Sequence, residues 1–163
     1  MRGPMELVVY GALGPASGEH ELALRLLALL LERELGIPSL PEIRREAGGK
    51  PYFPGYPSLH FNLSHSRGAA VCALHDQPVG IDIERLRPAP RRLAKGMADE
   101  AFFLLWTAKE ATVKRAGRGI DALRGPLEPD SLCRRLDGFP PGWLVTVCPS
   151  EDVPTRVVWM DAL

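Results

Sequence analysis

Three blocks of this chain carry side chains that could do chemistry together. They are Phe61-Asn62-Leu63-Ser64-His65-Ser66, Gly80-Ile81-Asp82-Ile83-Glu84, and the run from Trp106 to Lys114 with Lys109 and Glu110 inside it. In a strand, residues two apart share a face, so Asp82 and Glu84 point one way while Ile81 and Ile83 point into a core. Neighbouring carboxylates repel unless a cation lies between them. Hard oxygen ligands with open positions suit magnesium bridging to a phosphate. The plain alternative for a D-x-E strand is a solvated acidic edge.

The third block has helical spacing. Trp106, Glu110 and Lys114 lie one turn apart, which brings Glu110 over the strand end to complete a metal triad with Asp82 and Glu84. Lys109 and Lys114 are then compact charges for phosphate oxygens; the alternative is a routine surface Glu–Lys pair. Ser64 to Gly68 reads as a turn too long for a two-residue hairpin. Its hydroxyls, imidazole, guanidinium and free N–H groups make an anion cup, or else the serines merely cap the turn. No G-x-S-x-G elbow is present. Gly48-Gly49-Lys50-Pro51 reads as a turn with one exposed lysine, since the Walker spacing is absent. Together the blocks read as a magnesium-dependent enzyme that binds a phosphate-rich ligand.

The elements that must position these residues follow in chain order. Glu6 to Tyr10 reads as a strand and Gly11 to Gly18 as a Gly/Pro turn. Ser17 is the expected N-cap of a helix running to about Leu35, with Gly36 at its left-handed end. This helix should pack on a sheet. Pro38 to Gly55 is loop-like. Leu59–Leu63, Ala69–Leu74 and Pro78–Glu84 read as strands, and Arg85 to Gly96 as a connector. Asp99 is the expected N-cap of a helix from about Glu100 to Ala116, closed by Gly117. Pro126, Pro129, Pro140 and Pro141 break the tail into turns. Trp143–Cys148 and Arg156–Trp159 are its strands, expected to pair antiparallel and extend a second sheet.

Composition bounds the partners. The 163 residues suffice for one domain or two small subdomains sharing a core. Lys+Arg and Asp+Glu both number 20, so no bulk charge recruits nucleic acid or an anionic membrane. Cys72, Cys133 and Cys148 are widely spaced, odd in number and without a C-x-x-C pair. That reads as reduced thiols in a cytosol, neither a disulfide framework nor a zinc site. Leu22 to Leu31 is too short to span a bilayer, and no secretory signal is read, so the expected location is cytoplasmic.

Gly49-Lys50-Pro51, Phe61 to Ser66, Gly80 to Glu84 and Trp-x-x-Lys-Glu-x-x-x-Lys-x-x-Gly (Trp106 to Gly117), in that order, resemble the 4′-phosphopantetheinyl transferases of the surfactin-synthetase type. The resemblance implies an α+β fold, a pseudo-dimer of two similar α/β subdomains, 1–78 and 79–163. Each has a small, mainly antiparallel sheet packed on a long helix, with coenzyme A between them. It implies transfer of the phosphopantetheine arm of coenzyme A to a serine of an apo acyl or peptidyl carrier protein in fatty-acid, polyketide or nonribosomal-peptide biosynthesis. Adenosine 3′,5′-bisphosphate is released. By motif position Asp82, Glu84 and Glu110 hold Mg2+. Lys50, Pro51, Ser64 and His65 hold the nucleotide end, and Lys109 and Lys114 face the pyrophosphate. Glu110, as base, and Lys114 are the implied catalytic residues, and a monomer is implied. Departures from the pattern are a short Glu84–Glu110 spacing, a missing Phe-Phe-x-x-x-Glu block, and no counterpart around Gly18 to Arg25 for a phosphate-binding arginine. The rival reading is a non-catalytic coenzyme A or carrier-protein binding module descended from such an enzyme. Retention of Asp82, Glu84, Glu110, Lys109 and Lys114 together speaks against it.

Overall fold

Alternating burial along the strands sets the architecture. In this computed structural model the described residues are 5–15, 17–117 and 128–163. The elements run β1 (Leu7–Leu13), α1 (Glu19–Leu35), β2 (Arg44–Arg45), β3 (Pro51–Tyr52), β4 (His60–Ser66), β5 (Ala69–His75), β6 (Gly80–Arg85), α2 (Arg91–Ala94), α3 (Asp99–Ala116), β7 (Arg134–Arg135), β8 (Trp143–Cys148) and β9 (Thr155–Met160). They form a first sheet ordered β4-β5-β1-β9, a small β2-β3 ladder and a second sheet ordered β6-β8-β7. This is the mixed α+β class expected. No helix among the described residues is long and apolar enough to cross a membrane.

One face of the first sheet, with Val8, Tyr10, Ala12, Ala70, Cys72 and Leu74, packs on the α1 stripe Leu22, Leu26, Leu27, Leu30 and Leu31. Its other face, with Leu7, Val9, Ala69, Val71 and Ala73, packs on Ile81, Ile83, Trp143, Val145 and Val147 of the second sheet. Leu144, on the far side of β8, meets Phe102 and Phe103 of α3. The layers therefore run α1, first sheet, second sheet, α3. Each fully buried Leu, Ile or Phe contributes roughly 1.5–3 kcal/mol of transfer free energy. Because Ile81 and Ile83 take the inter-sheet face, Asp82 and Glu84 must face α3. Gly80 lets α3 come down onto β6, since a Cβ there would lie 1.9 Å from Ala111 O.

Several expectations are corrected. Ser64, His65 and Ser66 belong to β4, and the turn is the two-residue Arg67-Gly68. Both residues have positive φ, 47° and 90°, the primed hairpin geometry that suits strand twist. Arginine at the first position gives little sequence sign of it. The β1 strand continues to Leu13 through the expected glycine turn, because β5 and β9 pair with both its edges. Strands β8 and β9 do not pair. β9 runs parallel to β1 in the first sheet, and β8 sits between β6 and β7. The last strand of the C-terminal half therefore completes the N-terminal sheet.

Helix α1 starts from Gly18 in place of Ser17, and α3 starts at Asp99, whose Oδ1 accepts the Ala89 N–H at 2.9 Å. Gly36 and Gly117 close the two helices in the left-handed conformation as expected. Cys133 and Cys148 form a disulfide, contrary to the reduced-thiol reading. The pairing of Arg134 with Val147 places these two cysteines opposite each other, with Cα atoms 4.1 Å apart. Cys72 is a buried free thiol, as expected of a small hydrophobe. Pro126 lies outside the described residues.

Candidate active site

Two sheet edges meet at the site, and they meet through side chains. Strand β4 edges the first sheet and β6 edges the second. Asn62 Oδ1 accepts the Ile81 N–H at 2.8 Å and Ser64 Oγ accepts the Ile83 N–H at 3.1 Å. Ser64 Oγ donates to Asp82 Oδ1 at 3.0 Å, and Ser66 Oγ donates to Glu84 Oε2 at 3.4 Å. The period of two along β4 aims Asn62, Ser64 and Ser66 at β6, where they satisfy backbone groups of an otherwise open edge.

Lys114 locks this joint from above. Its Nζ donates to Leu63 O at 2.8 Å and Ile81 O at 2.9 Å, one carbonyl from each sheet, and lies 3.8 Å from Asp82 Oδ1. Burial pulls the lysine below its ordinary value, opposed by the charges of Asp82, Glu110 and Glu84. Asp82 is 7% exposed, and its Oδ2 is buried without a hydrogen-bond partner among the described residues. Burial pushes this carboxyl up to about 7. Lys114 opposes the rise, and the negative charges of Glu110 and Glu84 add to it. Glu110 is likewise raised by burial, with Lys114 opposing and Glu84 adding. The three carboxylates therefore share one electrostatic neighbourhood.

The buried, unpartnered Asp82 Oδ2 is an oxygen donor of the kind a hard dication takes, but the carboxylate oxygens of Asp82, Glu84 and Glu110 do not all come within 4.8 Å of one another. One of the acids is also engaged elsewhere. Glu84 Oε2 pairs with Arg87 Nη1 at 2.8 Å, and the Arg87 guanidinium stacks 4.5 Å above the Phe103 ring.

A cleft of about 450 Å³ opens beside Asp82. Of the residues singled out by sequence it is lined by Lys50, Pro51, Ser64, His65, Asp82 and Lys114, whereas Glu84, Lys109 and Glu110 lie outside its lining. Lys50 Nζ donates to Arg115 O at 2.9 Å and Val79 O at 3.4 Å, so it caps the end of α3 and ties it to β6. Burial holds it below its ordinary value. His65 Nδ1 is 2.9 Å from Glu19 Oε1, and Glu19 Oε2 also accepts the Gly68 N–H at 2.8 Å. Lys109 is half-buried, and no hydrogen bond or ion pair engages its ammonium among the described residues.

Sequence reasoning missed His20, Arg45 and Asn62, which also line the cleft. Arg45 Nη1 holds Gly49 O at 2.8 Å, closing the hairpin that carries Lys50. Its signal was the Arg44-Arg45 pair just before the Gly48-Gly49 turn. Asn62 lies inside the Phe61–Ser66 block, but nothing local marks an amide side chain as a connector between two sheet edges. His20 had no local signal, because only the packing of α1 near β4 brings it to His65, with ring centroids 5.8 Å apart.

No family model matches the chain. Curated relatives do. It is 36% identical over 106 residues to a 4′-phosphopantetheinyl transferase of Bacillus subtilis, covering 55% of this chain and 46% of the relative. It is 43% identical over 91 residues to 4′-phosphopantetheinyl transferase psf-1 of Bacillus pumilus, covering 46% and 39%. It is 35% identical over 136 residues to 4′-phosphopantetheinyl transferase HetI of a Nostoc species, covering 66% and 57%. The chain spans about half the length of the curated relatives it matches. Over these shared residues the chain is similar to curated 4′-phosphopantetheinyl transferases, Sfp of Bacillus subtilis (strain 168) among them at 34% identity over 106 residues.

Proposed function

We propose that this chain moves the phosphopantetheine arm of coenzyme A onto a serine hydroxyl of an apo acyl or peptidyl carrier protein, releasing adenosine 3′,5′-bisphosphate. The observation that carries the reading is Asp82, buried at the edge of a cleft beside Ser64 and Lys114 with Oδ2 unpartnered among the described residues. Asp82, Glu84 and Glu110 are the residues that would hold Mg2+. When bound, the ion supplies charge neutralisation on the pyrophosphate, which the attack of a hydroxyl on phosphorus requires.

The chain's own residues supply the rest. Lys114 fixes Asp82 and the two strands that carry the site, so the acids are preorganised before any ligand arrives. Glu110 accepts the proton of the attacking serine at its carboxylate, and its raised value brings it toward the range of a working base. Lys109 offers the ammonium available to phosphate oxygens. Lys50, Pro51, Ser64, His65 and Arg45 line the cleft that takes the nucleotide end. The layer pairs α1 with the first sheet and α3 with the second support reading the chain as a pseudo-dimer of two subdomains around coenzyme A. It acts as a cytoplasmic monomer.

The test is transfer itself. The full chain is incubated with Mg2+, coenzyme A and each of several apo carrier proteins, and intact carrier mass is read. A gain of one phosphopantetheine that vanishes in Asp82→Ala supports the proposal. Coenzyme A binding without transfer to any carrier replaces it with the non-catalytic binding module.

A further inference from the structure

We propose that the Cys133–Cys148 disulfide is a modification site for small thiols, opened and closed by thiol–disulfide exchange, and that its state sets how α3 sits on the second sheet. Only its effect on transfer rests on the function proposed above. The bond joins neighbouring strands. The Leu136 N–H donates to Val145 O at 2.8 Å, and Arg134 pairs with Val147. Cys133 and Cys148 therefore fall on a non-hydrogen-bonded pair of the ladder, where opposite side chains come closest.

Helix α3 rests on the two sulfurs. Thr112 Oγ1 lies 3.1 Å from Cys133 Sγ and 3.5 Å from Cys148 Sγ, and Ala108 O lies 3.9 and 3.8 Å from them. The turn from Ala108 to Thr112 is the one that carries Lys109 and Glu110. Cys148 pairs with Gly80 of β6, where α3 comes so close that a Cβ would lie 1.9 Å from Ala111 O. Reduction parts the sulfurs from about 2.05 Å to a non-bonded separation of roughly 3.5–4.0 Å. Strand β7 is held on both sides of Cys133. Arg115 Nη2 pairs with Asp130 Oδ2 at 2.6 Å, and Arg134 Nη2 donates to Thr155 Oγ1 at 2.6 Å. The turn of α3 must therefore take up the change, which moves Glu110 relative to Asp82.

Burial decides which sulfur is attacked. Cys148 is fully buried, whereas Cys133 is partly exposed. The thiolate of a dithiol attacks Cys133 Sγ, and Cys148 leaves as a thiolate that takes up a proton. The second thiol of the reagent then attacks the reagent's own sulfur in the mixed disulfide, releasing Cys133, which is protonated in turn. Two electrons pass from the dithiol, which ends as a cyclic disulfide. In the cytosol proposed for this chain, a disulfide works against a pool of reducing thiols, which is the setting of redox-sensing pairs.

The test compares the full wild-type chain equilibrated with dithiothreitol or with its oxidised cyclic form. Thiols counted in urea should number three and one respectively. Native-state amide exchange over 108–112 should run about tenfold or more faster in the reduced chain, with α1 unchanged and unfolding still cooperative. Cys133→Ser under oxidising conditions should exchange like the reduced chain. Carrier transfer should fall about tenfold on reduction, since a small misplacement of a reacting group is costly. Absence of transfer in both states counts against the proposed function, while the amide readout still decides the exchange site. The proposal is overturned by a native disulfide that dithiothreitol does not open, or by equal exchange over 108–112 in the two states. It is also overturned by loss of cooperative unfolding on reduction, which makes the bond a purely structural one.

Discussion

Replacing Lys114 by Met tests whether this ammonium is the joint between the two sheets. The substitution keeps an unbranched apolar stem and removes two charge-assisted hydrogen bonds, to Leu63 O and Ile81 O. Each such bond is worth roughly 1.5–3 kcal/mol, and breaking one partner of a buried pair costs about 3–5 kcal/mol. The Lys114 side chain is 27% exposed, so water can reach part of what is lost. That places the expected loss near the low end, about 3 kcal/mol, or roughly 6–12 °C in Tm for a chain of this size.

The loss should depend on pH, with a definite sign. Asp82 stands at about 7 when folded against an ordinary 3.8, so the folded state holds its proton more tightly than the unfolded one. Stability from this group therefore falls as pH rises between those two values and is flat above them. Without Lys114 the folded value climbs further, so the deficit should be larger at about pH 8 than at about pH 5. Urea unfolding in EDTA, followed through Trp143 in the inter-sheet core, reads both numbers. A deficit below about 1 kcal/mol at the higher pH, or one equal at both, would refute the joint, since an exposed Glu–Lys pair behaves that way.

Asp82→Asn should flatten the pH dependence of metal-free stability between about pH 4 and 7, visible as urea midpoints that converge on wild type in acid and exceed it in base. Gly80→Ala should cost about 3 kcal/mol, because its Cβ would meet Ala111 O at 1.9 Å and Arg115 N at 2.6 Å. Gly55→Ala, with nothing within 4 Å, should change the urea midpoint little. Thiol titration of the native protein at about pH 8 should find no reactive group. Cys72 is buried with its thiol pushed up to about 12, and Cys133 is bonded to Cys148. One thiol should appear in urea, and a reductant should be needed to reveal the others.

Much of this was legible from local pattern. The period-two alternation in Gly80 to Glu84 determined that both acids share a face, because strand geometry leaves side chains no other choice. Helical spacing likewise determined that Trp106, Glu110 and Lys114 rise on one side of α3. Gly36 and Gly117 marked helix ends, since each adopts a left-handed conformation that costs glycine little. What the tertiary structure alone decided was which edge meets which. No local rule sends β9 back to run parallel with β1, places Cys133 opposite Cys148, or puts α1 close enough for His20 to reach His65. Lys50 and Lys114 read as free cations along the chain, yet packing aims both ammonium groups at backbone carbonyls. The physical reason is range: propensity and periodicity act over a few residues, while pairing of sheet edges depends on buried area and hydrogen bonds contributed from far along the chain.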